Sequence, residues 1–509
     1  MALPSPLDES VFAQLKLDPE HTKQKEDEIN ARVHAQYEKS QQRMAELVGS
    51  NTTKPVTISS VRVIGAPHTR PAFLERIFQP VLSHNRPDAG TYTLQSALAE
   101  IGGAVDKLNR LDIFQQPIST YIDTPDQTDP TTSPIDYAVF VNAKERGRYT
   151  IKTGTEAGTA EGSAFVNAQL RNLFGGAESL NANASLGTRT RSAYSANFAT
   201  PILSNPDLRF EIGGLASSTL KHWASHEEVL KGGNSRILYR TSPWSQHELA
   251  YNGLWRQITG LAEKASPTIR ADAGDSFKSS LTHTWLNDTR DIPMLPSRGY
   301  LLKTVTELAG FGPLKGDVAF AKTAFDCQVA IPIPIPGFRK ASETGISFTA
   351  GLRGGLLYPL SLSGQSSPSG SRINDRFQLG GPPDVRGFQL SGLGPRDGQD
   401  AVGGDVYGAG GASLLLPLPK VGKDTPLRLQ AFINGGRLLA LSQADDAMGS
   451  LADTFGKLTD ELPSAAAGVG LVYAHPAARF ELNFSLPLVV RKGEEGRKGL
   501  SFGVGINFL

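Results

Sequence analysis

Few residues of this chain could carry chemistry, and the most distinctive of them is an arginine on a glycine-rich stretch. Arg386 lies in FQLGGPPDVRGF, residues 377–388, and a long polar segment follows it to residue 402. A guanidinium group presents five N–H donors in a fixed fork and stays charged, so in a confined space it needs carbonyl, amide or carboxylate partners. On a glycine-rich loop it could equally face water. The tetrapeptide VRGF alone does not decide between the two.

The histidines offer one candidate metal site. His222, His226 and Glu227 lie in HWASHEE, a loop-like stretch that lacks the helical two-histidine signature with an internal glutamate. No phosphate-binding loop of the Walker type occurs in the sequence. The sequence therefore predicts no metal, no cofactor and no catalytic residue, and a protein that is not an enzyme.

The totals of the sequence exclude several classes of protein. Lys and Arg number 51 against 50 Asp and Glu, so no net field attracts nucleic acid. The single cysteine, Cys327, excludes an internal disulfide and a cysteine-based metal cluster. No apolar run reaches the roughly 18 residues of a membrane-spanning helix, and the first residues do not resemble a secretory signal. Spanning strands would escape this test, because their signal is weak per segment.

Two regions precede the larger part of the chain. Residues 1–54 form a charged tail, where the spacing of apolar residues predicts an exposed amphipathic helix at about 25–48, either a partner-binding arm or a solvated tail. Residues 55–145 predict a small α/β domain in the order strand, helix, helix, strand, strand. The predicted elements are 56–65, 69–82, 93–111, 114–123 and 135–144.

From residue 146 to 509 the pattern changes to alternation with a period of two. In FELNFSL, residues 480–486, phenylalanine and leucine alternate with Glu481, Asn483 and Ser485. A soluble β-sandwich would also alternate, but it would bury its large apolar face inside. Here one face is rich in Asn, Gln, Ser and Gly over the whole region and no second core is evident, which favours a transmembrane β-barrel with a wet lumen. Cys327 is then predicted on the outer face.

In this context Arg386, Gly387 and Phe388 resemble the signature loop of the outer-membrane β-barrel assembly superfamily, the BamA-like proteins. The resemblance implies that Asp384, Val385 and these three residues belong to a loop, 377–402, that folds back into the barrel. It also matches 55–145 to one polypeptide-transport-associated (POTRA) domain and ERGRYTIKTGTEAG, 145–158, to the first barrel strand. NDTRDIPMLPSRGY, 287–300, resembles a mid-barrel segment of the family, and its prolines require a turn between strands.

A chain of this length, with one POTRA-like domain and without a secretory signal, resembles the core subunit of the mitochondrial sorting and assembly machinery. That resemblance implies a barrel of about 16 antiparallel strands. It implies a multi-pass protein of the mitochondrial outer membrane, with its N-terminal domain in the intermembrane space. The implied function is insertion and folding of β-barrel precursors through a lateral gate between the first and last strands, about 146–156 and 500–509.

The resemblance also assigns residues to the gate and to the loop. The end of the chain, KGLSFGVGINFL, fits the final-strand signal of mitochondrial β-barrel precursors. The predicted gate and signal residues are Gly154, Gly158, Ser501, Gly503, Ile506 and Phe508. Asn434 stands where bacterial relatives have an aspartate, so Asp405 or Asn434 is the predicted partner of Arg386. The loop is expected to brace the strands opposite the gate.

The implied partners are unfolded β-barrel precursors, the lipid bilayer, peripheral subunits on the cytosolic face, intermembrane-space chaperones and the outer-membrane translocase. No nucleic acid is expected. A passive outer-membrane channel and a polypeptide-translocating pore share the predicted barrel and remain alternatives, as does a soluble all-β binding protein. A passive channel would need neither the 55–145 domain nor the loop of Arg386, and a translocating pore would pass an unfolded protein through its lumen. A soluble protein would be removed when membranes are washed with carbonate.

Overall fold

The computed structural model describes residues 32, 36, 38–40, 42–43, 46–47, 49–83, 92–125, 132–157, 162–334, 345–361, 370–418, 425–441, 447–476, 478–505 and 508. Among these residues no helix is long and apolar enough to cross a membrane. The predicted helix at about 25–48 falls largely outside them, although its described members are helical and exposed. The chain divides into two compact units after Arg146, with residues 68–73 assigned to the second unit.

The N-terminal unit contains the predicted α/β fold. Its elements are β1 (Thr57–Ile64), α1 (Pro71–Ser83), α2 (Leu94–Arg110), β2 (Ser119–Asp123) and β3 (Asp136–Asn142). The sheet order is β1-β3-β2, with β1 parallel and β2 antiparallel to β3. Val81, Leu108 and Val139 are fully buried between helices and sheet. The amphipathic spacing of α2, begun by a capping box at Thr93, places its apolar side in this core.

The second unit is one antiparallel sheet of 16 strands that follow one another in chain order. The first strands are β4 (Tyr149–Ala157), β5 (Gly162–Arg171), β6 (Ser179–Gly187), β7 (Thr190–Pro201), β8 (Leu208–Lys221), β9 (His226–Arg240), β10 (Ser245–Thr259), β11 (Gly274–Asp288), β12 (Gly299–Ala309), β13 (Phe320–Pro332) and β14 (Ser347–Pro359). A small hairpin, β15 (Arg396–Asp397) and β16 (Asp400–Ala401), lies apart from this sheet. The sheet ends with β17 (Val406–Pro417), β18 (Leu427–Leu439), β19 (Ser464–Ala474), β20 (Arg479–Val489) and β21 (Gly499–Gly505).

Helices in this unit lie in connections between strands. They are α3 (Pro267–Ala271) and α4 (Ala447–Asp460), with single 3-10 turns at Ile202–Ser204, His222–Ala224 and Gly312–Leu314. The prolines of the 287–300 segment fall between β11 and β12, as predicted, because proline lacks the N–H donor of a central ladder.

The alternation along the strands settles which face is outside. In β20, Leu482, Phe484 and Leu486 are 40%, 51% and 42% exposed, whereas Glu481 is fully buried. Large apolar side chains therefore point outward and polar ones inward, the reverse of a soluble sandwich and the arrangement of a barrel in lipid. Cys327 lies on the outer face with Phe325 and Val329, as predicted. The prediction of a 16-stranded transmembrane β-barrel preceded by one POTRA-like domain is confirmed.

The two edges of the sheet are β4 and β21, and within the described residues no hydrogen-bonded ladder joins them. We call the line where these edges face each other the seam. The chain between β14 and β17 enters the barrel, and we call residues 370–405 the lumenal loop. It begins before the predicted loop 377–402, and its described residues contact the barrel wall on several sides.

Candidate functional site

Arg386 is held by a carboxylate of the inner wall. Its Nε lies 2.8 Å from Glu481 Oε2 and its Nη2 lies 3.0 Å from Oε1, a two-pronged pairing of fork and carboxylate. The two side chains are 1% and 0% exposed. Glu481 points inward because it alternates with the lipid-facing residues of β20. The sequence left open whether the guanidinium of Arg386 faces water; in the structure it is buried against the wall.

Further groups of the wall complete this cluster. Arg479 Nη2 lies 2.6 Å from Glu481 Oε1, and Asn483 Nδ2 donates to Oε2 at 2.7 Å. Glu481 thus accepts hydrogen bonds from two arginines and an amide. The Arg386 Cζ lies 5.0 Å from the ring centroid of Phe432 on β18, within cation–π range. A carboxylate bound through both oxygens in this way fixes the positions of both cations.

Gly387 allows the loop backbone to approach the wall. Its φ is +83°, a conformation that L side chains rarely adopt, and an added Cβ would lie 2.6 Å from Ala466 Cβ on β19. Phe388 is 2% exposed and packs in an apolar cluster. The other members of that cluster are Leu379, Val385, Leu393, Ala409, Leu438 and Ala466. The tip of the loop is therefore anchored by apolar packing as well as by charge.

The loop also pairs through its backbone with the connection between β20 and β21. Gln389 N–H donates to the Glu495 carbonyl at 3.0 Å, and Glu495 N–H donates to that of Gly392 at 2.9 Å. Arg497 N–H donates to the Gly387 carbonyl at 2.8 Å. Phe388 and Gly496 form an isolated antiparallel bridge within this stretch. The signature loop is thus attached to the hairpin whose second strand, β21, forms one edge of the seam.

Asp384 reaches a different part of the wall. Its Oδ2 accepts from Gly380 N–H at 3.0 Å, which tightens the loop, and its Oδ1 lies 3.5 Å from Arg353 Nη1 on β14. Arg353 also pairs with Asp326 on β13 at 3.1 Å. Val385 is fully buried. The signature residues therefore contact β14 through Asp384 and β20 through Arg386.

Neither predicted partner pairs with the guanidinium of Arg386. Asp405 instead accepts from Ser371 Oγ at 2.5 Å and from Leu441 N–H at 2.9 Å. Asn434, with its amide turned so that both atoms find partners, accepts from the Arg386 N–H at 2.8 Å and donates to its carbonyl at 3.2 Å. The prediction of Asp405 is wrong, and Asn434 binds the backbone only. Asn434 lies on β18, and the carboxylate that pairs with Arg386 lies two strands further along the sheet, at Glu481 on β20.

Sequence reasoning missed Glu481 and Arg479, although the signal existed. Glu481 is on the predicted inner face of FELNFSL, and Arg479 lies two positions earlier, on the same face of the strand. A carboxylate on an inner face requires a cation beside it. The expected location of the loop also needs correction. Arg386 docks on β20, the strand next to the seam strand β21, and not on strands opposite the gate. The loop reaches that side because the backbone pairs with residues 495–497 hold it there.

The predicted seam residues fall in three groups. Gly158 and Ile506 lie outside the described residues. Ser501 faces the lumen in β21, where its Oγ donates to the Asn483 carbonyl at 3.4 Å. Gly154 and Gly503 face inward, and each leaves space for a side chain. An added Cβ at Gly154 would lie 2.8 Å from the Phe165 ring of β5, and one at Gly503 would lie 3.0 Å from Pro382. These contacts explain the glycines without a neighbouring seam strand.

Phe508 does not continue the alternation of the last strand. β21 ends at Gly505, and Phe508 is 6% exposed instead of sharing the outer face with Phe502. Its ring lies 5.5 Å from Arg386 Cζ and 5.1 Å from Arg479 Cζ. Its carbonyl accepts from Gln328 Nε2 of β13 at 2.8 Å. Among the described residues of the expected strand 500–509, Phe508 is therefore not part of the strand, and its ring contacts two buried cations instead of lipid.

The histidine segment does not form a metal site in the described part of the chain. His222 lies in a 3-10 turn, and His226 Nδ1 pairs with the Ala224 carbonyl at 2.7 Å. Glu227 pairs with Arg191 at 2.9 Å. Within the described ranges, no three His, Cys, Asp or Glu side chains lie together in a way that could hold a metal ion.

Comparison with known proteins gives concordant matches. Residues 172–508 match the Omp85 superfamily domain. Over 482 residues, 94% of this chain and 97% of the relative, the sequence is 38% identical to a SAM50-like protein of Schizosaccharomyces pombe. Over 412 residues, 80% of this chain and 82% of the relative, it is 34% identical to the sorting and assembly machinery component 50 homolog of Homo sapiens.

A solved structure supports the same assignment at the level of the fold. BamA from Haemophilus ducreyi, solved without POTRA domains 1–3, superposes with a TM-score of 0.67 at 16% identity, covering 88% of this chain and 84% of that one. The superfamily match spans more than half of the chain, and relatives above 30% identity cover most of it. The chain belongs to the Omp85 superfamily and, within it, to the family of sorting and assembly machinery component 50.

Proposed function

We propose that this protein inserts β-barrel precursors at the seam between β4 and β21, using the edge of β4 as a template. As a member of its family it is an outer-membrane β-barrel that assembles other β-barrels. The physical difficulty of that task is that each unpaired backbone group of an incoming strand costs several kcal/mol in lipid. An exposed strand edge removes that cost by pairing with the precursor.

One observation carries the proposal: the two sides of the seam are held unequally. The lumenal loop binds the β20–β21 hairpin through the backbone bonds to residues 495–497 and the Arg386–Glu481 pair. On the other side, β4 pairs with β5 over Tyr149–Ala157 and, among the residues that the structure describes, with no other strand. Tyr149 and Ile151 there are 71% and 72% exposed. The incoming final strand pairs with β4, while β21 keeps its position beside the loop.

Site-specific crosslinking tests the template. A cysteine replaces Thr153 in β4, in a chain whose lipid-facing Cys327 is changed to alanine, and a precursor is stalled with a cysteine in its final strand. The template strand should form disulfides with the precursor, in an order of positions that follows an antiparallel register. A matched cysteine at Thr323 in β13, which shares the outer face with Phe325, serves as the control for random collision. Equal crosslinking at β4 and β13, or crosslinks confined to lumen-facing positions, would contradict the proposal.

We propose that the barrel lies in the mitochondrial outer membrane with the N-terminal unit in the intermembrane space. An even number of strands leaves both ends of the barrel region on one face, and the family resemblance identifies that face with the intermembrane space. The partners are peripheral subunits on the cytosolic face, intermembrane-space chaperones and the outer-membrane translocase. No enzymatic step is assigned, because strand pairing and apolar burial supply the free energy. Protease protection of residues 55–145 in intact mitochondria, lost on rupture of the outer membrane, tests the orientation.

The alternatives of a passive channel and a polypeptide-translocating pore both need an open lumen. The lumenal loop contacts β14, β18 and β20 around Asp384 and Arg386, and β9, β10, β11 and β13 around Asn374 and Asp375. A loop held inside the lumen at both places favours insertion at the seam over passage through the lumen. Depletion of the protein followed by measurement of porin assembly distinguishes them, because a passive channel would leave porin assembly unchanged.

A further inference from the structure

A second buried ion pair fixes the lumenal loop, far from the signature residues. Asp375, in the loop before β15, places its Oδ1 2.6 Å from Arg256 Nη1 on β10, and both side chains are 3% exposed. Lys278 Nζ of β11 lies 3.7 Å from the same oxygen. Lys322 Nζ of β13 donates to the Asp375 carbonyl at 2.6 Å. One loop residue therefore contacts three strands through charge.

The residues next to Asp375 are fixed to the same side. Asn374 Nδ2 donates to Glu228 Oε1 of β9 at 2.5 Å, and Ile373 N–H donates to Asp272 Oδ2 at 2.8 Å. The Ile373 side chain, 3% exposed, packs with Ile258 and Ile269. We call residues 373–375 and their wall partners the far-wall anchor. Its central pair, Arg256 and Asp375, is almost as buried as the pair of Arg386 and Glu481.

The two attachment points lie on opposite sides of the barrel. In the sheet order β10 is the seventh strand and β20 the fifteenth of 16, eight strands apart in a ring of that size. Arg386 docks beside the seam, and Asp375 docks on the wall that faces it across the lumen. Since only eleven positions separate the two residues in sequence, the loop crosses the lumen between them. The bracing expected opposite the gate is thus supplied by Asp375.

We propose that Asp375 is a positioning residue whose ion pair with Arg256 makes the lumenal loop a strut, tying the seam-side hairpin to the opposite wall and keeping the lumen closed. The inference does not depend on which seam strand receives the precursor. Three cations, Arg256, Lys278 and Lys322, surround two carboxylates, Asp375 and Glu307, at this anchor. Loss of Asp375 leaves the cations facing one remaining carboxylate, whereas loss of Arg256 leaves two cations with two carboxylates. Asp375→Asn should therefore release the loop more than Arg256→Gln does.

Two cysteine reporters measure the release in the full-length protein, in a Cys327→Ala background reconstituted in lipid vesicles. Ile373→Cys reports the far-wall anchor, and Ala466→Cys, at a fully buried site beside Gly387, reports the Arg386 side. Breaking a buried pair shifts the equilibrium between docked and undocked loop by roughly 100-fold. In the Asp375→Asn variant, a water-soluble maleimide should therefore label the Ile373→Cys reporter about 100-fold faster. Labelling of the Ala466→Cys reporter should change little.

Planar-bilayer currents give a second readout of the same variants. Asp375→Asn and Arg256→Gln should raise the mean current, and the charge-swapped double variant Arg256→Asp/Asp375→Arg should bring it back toward wild type. Arg236→Gln is the matched control, because Arg236 pairs at 2.6 Å with Glu211 of the neighbouring strand and not with the loop.

Each result of the labelling and current measurements either supports or contradicts the strut. Selective labelling of the Ile373→Cys reporter, with increased current and a silent Arg236 control, supports the strut. Equal exposure of both reporters means that the pair serves general stability, and the proposal fails. Unchanged labelling and unchanged current in Asp375→Asn overturn it as well, because the loop would then be held without this pair. A current in Arg236→Gln as large as that in Arg256→Gln shows a leak from the wall and equally contradicts the strut.

Discussion

The ring of Phe508 lies 5.5 Å from the guanidinium carbon of Arg386, so the residue beyond the last strand contacts the cation that holds the signature loop. Arg479 approaches the same ring at 5.1 Å, and Gln328 binds the Phe508 carbonyl at 2.8 Å. Gly503 and Gly505 leave space for the ring, since an added Cβ at either would lie 3.3 Å from it. The end of the seam strand and the loop are therefore one packed unit.

Removal of this ring should loosen β21. Phe508→Ala loses two cation–π contacts, each worth about 0.5–2 kcal/mol, so the backbone amides of 499–505 should exchange with deuterium roughly tenfold faster. Hydrogen exchange followed by mass spectrometry measures the effect. Phe502→Ala is the matched control, because that ring faces outward and stacks on Phe480 at 6.2 Å. Equal acceleration in both variants would show that ring size matters and the arginines do not.

The Arg386 cluster predicts an unequal response to loss of either charge. Arg386→Ala leaves Glu481 with Arg479 and Asn483, still hydrogen-bonded. Glu481→Ala leaves two guanidinium groups buried without their shared carboxylate. Breaking a buried pair costs about 3–5 kcal/mol, and we expect Arg386→Ala at the lower end of that range and Glu481→Ala at the upper end. Heat resistance of the folded barrel in detergent gives the order of stability.

Arg386→Lys extends the same test. A point charge reaches one oxygen of Glu481 but cannot reproduce the two-pronged contact, so barrel stability and precursor insertion should recover in part. The control is Arg428→Ala, at an arginine of β18 whose Nη1 contacts backbone carbonyls at residues 425 and 427. Insertion of porin at the wild-type rate by Arg386→Ala would show that the pair has no part in assembly.

Sequence alone predicted the elements and their faces but not the long-range partners. The period of two in FELNFSL fixed the inward direction of Glu481, since alternation is a property of each strand by itself. The pairing of Glu481 with Arg386, 95 positions away, depends on how deeply the loop enters the lumen, and no local pattern encodes that depth. Phe508 was misplaced for a related reason: its apolar character fits a lipid-facing position and a cation-facing one equally well.

The role of Asp375 could not be predicted from the sequence either. The residues that resemble a family motif begin at 377, and the acidic residue just before them carried no recognisable signal. Its importance follows only from the sheet order, which places Arg256, Lys278 and Lys322 on one side of the lumen at the same height. Charges on adjacent strands cluster in space when their registers align, and registers are not readable from single strands.

Gly387 gives a test that separates backbone strain from crowding. Gly387→Ala adds a Cβ that lies 2.6 Å from Ala466 Cβ and also forces an L residue to a φ of +83°. The strain alone costs about 1–2 kcal/mol. Ala466→Gly removes the clash but not the strain, so the double variant should recover barrel stability only in part. Full recovery by Ala466→Gly would mean that the φ carries no cost. No recovery at all would mean that the collision is not the problem.

The N-terminal unit should affect the handover of precursors more than the folding of the barrel. Its core residues, Val81, Leu108 and Val139, are buried within the unit itself, and the contacts that fix Arg386 and Asp375 come from barrel strands. Removal of residues 55–145, which include residues 68–73 of the second unit, should therefore leave a heat-resistant barrel that inserts precursors more slowly. Pulse-chase assembly of porin in isolated mitochondria measures the rate.

A point variant separates the two roles of that unit. β2 forms an edge of its sheet, and Tyr121 there is 62% exposed. If the edge receives precursor segments by strand addition, Tyr121→Ser should slow assembly in the same direction as the deletion. Ile64→Ser on β1, at a side chain 55% exposed on the other edge, is the matched control. A slow deletion variant with both point variants at wild-type rate identifies the unit as a spacer, whereas a barrel that fails to fold without it contradicts the independence of the two units.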